Sequence, residues 1–490
     1  MSGIAGIIKK EGHKPQQEQV KKLLKKISHR GVRKETLLAQ DGHCLGMISN
    51  YSTQKNPQVL IDGRIYNIDK LFRKHGTDNS NSLSDSEKIS QLINKTGPSV
   101  IKQFQGAFSL VATDEDNNTY LARDTIGIKP LYYVHDDQSV TFASEIKSLL
   151  EYGDQINEFP PGHLMKNNSR PQKYDSIEVA DYDFLSRTDT KEIVDKLDSM
   201  LQDAVKKRID GYKGEIGVWL SGGVDSSLVA ALVQKFTDKV YTFSVGFEGS
   251  PDLEASRVVA KALGTEHIEH QLNLDDLYNT IPEVIYHLES FDAPLVRSSL
   301  GNMIASRISS EAEIVFSGEG GDEVFGGYNY FLDYKSSDKI QKGLVKAINS
   351  LHNTALQRVD RLANAHNVNV RLPLLDESLI DFALTIPTDQ KIKPSKNISK
   401  YVLRKVAERY LPHQIAWRGK EKFWEGSGIQ DSLTEKIEEN IGDADFKKNR
   451  QLDNGFRLRN KEEMYFYNLF RKYFGDVNIE NILSFTQDFN

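Results

Sequence analysis

One short stretch constrains the fold more than any other: Leu220-Ser221-Gly222-Gly223-Val224-Asp225-Ser226-Ser227. It lies between an apolar β-type run, Ile216–Leu220, and a run with helical spacing, Ser226–Lys235. A strand, a tight Gly-Gly turn and a helix begin a parallel βα unit. The two glycines permit positive φ and let a ligand approach the backbone amides. The helix start adds unpaired N–H groups and the positive end of the helix dipole, so the loop suits an anion such as pyrophosphate. Ser221, Ser226 and Ser227 can add hydroxyl donors. Asp225, an acid beside an anion site, makes sense as a ligand of Mg²⁺ bridging the phosphates. No Gly-Lys-Ser/Thr follows, so this is not a Walker A loop. A Ser/Gly turn capping a helix would share part of the pattern, but the full run in its strand–loop–helix setting reads as a phosphate loop.

The βα rhythm continues with a strand at Val240–Val245, a helix at Leu253–Leu263, a helical stretch at Asn302–Ile308 and a strand at Ala312–Phe316. This predicts a parallel sheet covered by helices. The first third reads differently. Short β-type runs at Ile4–Ile8, Gln58–Ile61, Ala107–Thr113, Thr119–Ala122, Leu131–Val134 and Ser139–Ala143 are separated by Gly, Asn and Asp clusters. Helical patches at Glu18–Ile27 and Ser86–Ile93 lie between them. That spacing predicts stacked antiparallel sheets in an α+β domain. A chain of 490 residues exceeds one core, so at least two domains are expected. We place the first at 1–165, a polar linker at 166–190, the α/β domain at 191–430 and a helical C-terminal extension at 431–490.

The net charge of −6 supports neither a nucleic-acid groove nor a polybasic membrane patch. The single cysteine, Cys44, excludes an internal disulfide and a thiolate zinc cluster, and reads as a small buried hydrophobe. The start, MSGIAGIIKKEG, is not a signal peptide, and no apolar run approaches the ~20 residues that span a bilayer. A cytoplasmic enzyme is expected.

The loop at 220–227 resembles the pyrophosphate loop of the ATP pyrophosphatase (PP-loop) superfamily, and downstream motifs narrow the resemblance to asparagine synthetase of the glutamine-hydrolysing type. Thr242-Phe243-Ser244-Val245-Gly246-Phe247 is similar to the strand that receives adenine. Ser317-Gly318-Glu319-Gly320-Gly321-Asp322-Glu323-Val324-Phe325-Gly326-Gly327-Tyr328, Val370–Asp376, Lys400, Leu403-Arg404 and Arg418-Gly419-Lys420 follow the family's later motifs. The resemblance implies ATP-dependent amidation of aspartate through β-aspartyl-AMP. It implies nucleotide contacts from Leu220, Ser221, Gly222, Gly223, Asp225, Ser226, Ser227, Val245, Ser317 and Gly318. Mg²⁺ would be held by Asp225 and Asp322, and would neutralise charge between two anionic reactants. Lys420 would spread transition-state charge and Glu319 would act as general base. Glu319 also favours intermolecular amidation, because lactam-forming relatives carry tyrosine there. Arg297 aligns near the substrate carboxylate and could clamp it, or could be a salt-bridged structural arginine.

The N-terminal third resembles the same family's N-terminal-nucleophile (Ntn) glutaminase, an αββα sandwich. Gly3-Ile4-Ala5-Gly6, His29-Arg30-Gly31, Arg123-Asp124 and Gly127–Tyr132 carry the likeness. The family's catalytic cysteine is here Ser2, a weaker nucleophile at neutral pH. Its NGE triplet, which binds glutamine, reads Asp62-Gly63-Arg64. Ser49 lies near the place of the arginine that would hold glutamine's α-carboxylate. Asp85 alone matches a remaining glutamine contact. Several ligands have changed together, so the glutaminase is expected to be inactive and ammonia to be the nitrogen source.

Small-molecule substrates follow: aspartate, ammonia and ATP. Family members are often dimers, and a separate glutaminase could deliver ammonia. Three other readings stay open: an amide ligase acting on a different carboxylate or amine, a slow Ser2-dependent glutaminase, and a non-catalytic relative.

Overall fold

The structure, a computed structural model, describes residues 1–9, 15–50, 58–75, 83–153, 155–180, 185, 188–419, 429–453 and 455–486. They form two compact units. One comprises Met1–Ser176, Leu351–Asn367 and Phe470–Phe485; the other comprises Ile177–Ser350, Val368–Leu469 and Thr486–Asn490.

The first unit has two antiparallel sheets. One runs in the order Lys34–Gln40, His43–Ser49, Ser2–Lys9, Ser139–Ala143, Tyr132–His135 and Asn157–Glu158. The other runs Gln172–Lys173, His163–Lys166, Thr119–Arg123, Gly106–Thr113 and Val59–Ile65. The period of two in each strand decides how they pack. Leu110 and Ala112 join one core cluster, with Phe72, Ile89 and Leu92 from helices. Val111 between them joins the other, with Ile4, Leu45 and Phe142 of the first sheet. Each strand thus sends alternate side chains to a sheet–sheet core and to a helix–sheet core. Helix Gln17–Lys26 buries Val20, Leu23 and Leu24, and Gly46 of the first sheet lies under it. The result is the αββα sandwich expected.

The second unit has one parallel sheet in the order Glu266–Gln271, Tyr241–Gly246, Ile216–Trp219, Ile314–Phe316 and Asn369–Arg371. The strand order reverses at Ile216–Trp219, whose successors lie on opposite sides of it. In a doubly wound sheet the ligand crevice opens at that point, beyond the carboxyl ends of the strands.

Several boundaries differ from the expectation. Strands Lys34–Gln40 and His43–Ser49 were not foreseen, nor was Glu266–Gln271, whose polar sequence suits an edge with one side exposed. The presumed linker carries the edge strand Gln172–Lys173, and residues up to Ser176 belong to the first unit. The first unit also takes in 351–367 and 470–485, the latter from the presumed C-terminal extension. The helix read as Asn302–Ile308 starts at Ala293, with Asp292 capping Leu295 N–H and Pro294 in the first turn. No helix among the described residues is long and apolar enough to cross a membrane.

Candidate active site

The phosphate loop lies where the sheet order reverses. Leu220 N–H bonds Phe243 C=O, which carries the chain straight out of the central strand. Gly222 then adopts φ +72°, and an added Cβ would lie 2.7 Å from Ala255 Cβ and 2.8 Å from Asp252 C=O. Only glycine fits there. Gly223 precedes helix Val224–Phe236, so the loop runs directly into a helix start. The serines brace it. Ser226 Oγ accepts from Ser221 N–H at 3.2 Å and lies 3.0 Å from Ser221 Oγ, and Ser227 N–H reaches Gly223 C=O. Ser244 Oγ donates to Leu220 C=O at 2.5 Å, one residue before half-buried Val245.

The neighbouring strand, Ile314–Phe316, delivers the second loop. Ser317 N–H bonds Arg371 C=O, and Glu319 N–H donates to Ser317 Oγ. Two glycines let the loops touch: a Cβ on Gly318 would sit 2.6 Å from Ser226 N, and one on Gly321 2.6 Å from Asp225 Cγ. Asp225 and Asp322 are thereby drawn to one point. There the Lys400 ammonium contacts Asp225 Oδ2 and lies 2.6 Å from Asp322 Oδ1. Burial would lower this lysine's pKa, but the two carboxylates more than reverse that and keep it charged. Lys400 has φ +57°, which for a residue with a Cβ costs about 1–2 kcal/mol.

Two hard carboxylates gathered on one cation are a set that suits Mg²⁺, which takes one or two protein carboxylates and completes its shell with phosphates and water. The residues therefore fit the metal implied by the sequence.

Glu319 is half-buried beside Asp322. Burial, with Asp322 and Glu319 adding repulsion, pushes the buried Glu323 carboxyl up to about 7, and the Tyr328 hydroxyl bonds it. Arg297 lies 2.5 Å from the buried Glu462 carboxylate. Arg404 Nη1 donates to the carbonyls of Ala416 and Arg418, and Arg418 pairs with Asp252 at 2.8 Å. Lys420 itself lies outside the described residues.

In the first unit, Ser2 is buried and pairs in register with Ser49, whose hydroxyl donates to Met1 C=O. Ser2 Oγ donates to Asp62 Oδ1 at 3.1 Å. Asp62 in turn is held by Arg30, a fully buried residue that also reaches Glu145 at 2.9 Å and Asp360 at 2.7 Å. Lys129 meets Asp360 at 2.6 Å, and Lys147 contacts Glu145. Three cations and three carboxylates thus close a buried network behind Ser2. Gly63 follows Asp62, facing the Ala107 carbonyl; Arg64 is half-buried; Asp85 is exposed at the first position of helix Asp85–Thr96. Asp360 and Lys400 were not singled out for a site in the sequence. Asp360 meets partners 330 and 231 residues away, and Lys400, though it falls in a family motif, meets partners 175 and 78 residues away, so no local spacing shows either contact. Cys44 is buried, and burial pushes its thiol up to about 11.

Comparison with known proteins agrees with this geometry. The Asparagine synthase family model matches residues 196–339 and 332–468, and the Glutamine amidotransferase domain model matches 1–177. The chain is 32% identical over 422 residues to asparagine synthetase B [glutamine-hydrolyzing] of Escherichia coli, covering 82% of this chain and 76% of that protein. It is 34% identical to the asparagine synthetase [glutamine-hydrolyzing] of Asparagus officinalis, covering 86% and 75%. A probable asparagine synthetase [glutamine-hydrolyzing] of Schizosaccharomyces pombe is 31% identical over 93% of this chain and 89% of its own length.

Proposed function

The chain belongs to the glutamine-hydrolysing asparagine synthetase family, and from that membership we propose that it makes asparagine from aspartate and ammonia, without hydrolysing glutamine. As a family member it is an ATP-dependent amide-forming ligase that releases AMP and pyrophosphate. The observation that carries the finer reading is the Ser2 environment. Its hydroxyl donates to the Asp62 carboxylate, and ion pairing of that carboxylate to Arg30 makes it a weak base for the hydroxyl's proton. The relatives' names specify glutamine hydrolysis, and this chain departs from that chemistry at Ser2, Asp62 and Arg64 together.

In the proposed reaction the amides and hydroxyls of Ser221–Ser227 receive the pyrophosphate at the helix start. Val245, Ser317 and Gly318 border the nucleotide. Asp225 and Asp322 would hold Mg²⁺, which offsets phosphate charge when bound. Aspartate's side-chain carboxylate attacks the α-phosphorus, the α–β phosphoanhydride bond breaks, and β-aspartyl-AMP forms as pyrophosphate leaves. Lys420 spreads the charge that develops. Ammonia then attacks the acyl carbon, Glu319 takes a proton from its nitrogen, and AMP leaves. For Arg297 to bind aspartate it must exchange Glu462 for the substrate carboxylate. That pairing favours one second reading, amidation of a different carboxylate.

The test is one assay with ATP, Mg²⁺ and aspartate, and either ammonium or glutamine, following asparagine, glutamate and pyrophosphate. Asparagine from ammonium, no glutamate from glutamine, and no effect of Ser2→Ala are expected. Glutamate release that vanishes in Ser2→Ala refutes the proposal. Pyrophosphate released with another carboxylate but not with aspartate supports the second reading.

A further inference from the structure

One contact in the second unit has no part in that mechanism. The Lys400 ammonium sits between Asp225 and Asp322, the pair assigned above to the metal, and its side chain is only 5% exposed. The fit is built. Lys400 takes the left-handed conformation just before helix Tyr401–Ala407, and a Cβ on Gly327 would lie 2.0 Å from Lys400 Cε and 1.9 Å from Asp322 Oδ1. Nothing larger than glycine leaves room for this lysine to reach the carboxylates.

Two carboxylates brought to one point repel unless a cation lies between them. Here the chain supplies that cation itself, so Lys400 and a divalent ion claim the same oxygens. A bare metal ion would have to break both of the ammonium's carboxylate contacts while the lysine side chain stays largely buried. A metal ion arriving with a polyphosphate brings the counter-charge, because the ammonium can trade carboxylate oxygens for phosphate oxygens.

We propose that Lys400 is a displaceable internal counterion: it keeps Asp225 and Asp322 apposed in the nucleotide-free chain, denies them to free divalent cations, and yields them only to a cation that comes with polyphosphate. This rests on the reading that the 220–227 loop binds metal–nucleotide. Metal and nucleotide then bind as one unit, and the site is not drained by free Mg²⁺. Lys400 is a positioning residue in this scheme, since its effect passes through the two aspartates.

The probe is Mn²⁺ binding to the full chain, followed by the electron paramagnetic resonance signal of free Mn²⁺, with and without pyrophosphate or ATP. The wild type should bind Mn²⁺ alone at least about tenfold more weakly than with pyrophosphate present. Lys400→Gln should bind Mn²⁺ alone about tenfold more tightly than the wild type. That gain should vanish in Lys400→Gln/Asp322→Asn. Equal Mn²⁺ affinity in wild type and Lys400→Gln, or a gain that survives Asp322→Asn, overturns the proposal. If Lys400→Gln does not fold, the wild type decides: Mn²⁺ binding without phosphate that Asp322→Asn abolishes also overturns it. Failure of the wild type to bind ATP with Mn²⁺ removes the underlying reading as well, and is distinct from all of these.

Discussion

Arg30→Met tests the buried network directly. The methionine replaces the arginine's stem but removes a charge that meets Asp62, Glu145 and Asp360 in a fully buried position. What remains is Lys129, Lys147 and the His29 imidazole around three carboxylates, with the one cation that joined all three removed. Breaking a buried ion pair from one side costs about 3–5 kcal/mol. In a unit of this size each kcal/mol moves the melting point by about 2–4 °C, so the first unit should melt ~6–20 °C lower at pH 7. The pH dependence separates this account from simple loss of packing. Burial alone would raise the carboxyls of Asp360 and Glu145, yet in the wild type both lie below the usual range. For Asp360 the opposing charges are Arg30 and Lys129; for Glu145 they are His29, Lys147 and Arg30. Depressed carboxylates contribute stability that is present above about pH 4, their unfolded value, and is lost as pH falls further. Without Arg30 burial works with less opposition, protonation relieves it, and the variant's deficit should shrink between pH 7 and pH 5. Differential scanning calorimetry of the full chain at several pH values reads both effects. A deficit under about 1 kcal/mol at pH 7, or one independent of pH, would refute the reasoning.

Two further outcomes follow from single contacts. Gly327→Ala should destabilise the second unit by about 1–3 kcal/mol and weaken ATP binding, because its methyl would overlap Asp322 and Lys400; titration calorimetry and thermal melting measure the two. Cys44, pushed up to about 11 by burial, is a thiolate to about one part in a thousand at pH 8, so iodoacetamide should label it only when the chain is unfolded.

The sequence made the second unit legible because its chemistry is local. Leu220–Ser227 and Ser317–Tyr328 each pack a turn, a helix start and an acid into one run, and the structure brings Asp225 and Asp322 together as their motifs implied. Lys400 was visible as a motif residue, but its place between the two aspartates was not, because that contact joins segments 175 and 78 residues apart in the chain. The first unit was legible as alternating strands, except where Lys34–Gln40 and His43–Ser49 were passed over. The substitutions at Ser2, Asp62 and Arg64 were visible one by one. That Arg30, Asp62 and Asp360 close on one another was not, since Asp360 is 330 residues from Arg30 in the chain. Tertiary ion pairs depend on closure over such distances, which local pattern does not encode.

The helix at Ala355–Ala365, which brings Asp360 to Arg30, belongs to the first unit although 174 residues of the second precede it in the chain, Ile177–Ser350. The polypeptide therefore leaves the sandwich, returns to it, leaves again and returns at Phe470–Phe485 before its final residues. No single cut releases the sandwich. A deletion of residues 1–176 would strand Asp360 without Arg30 or Lys129. Side chains around Ser2 can be exchanged one at a time, but the domain that carries them cannot be dropped without breaking the ion pairs of Asp360.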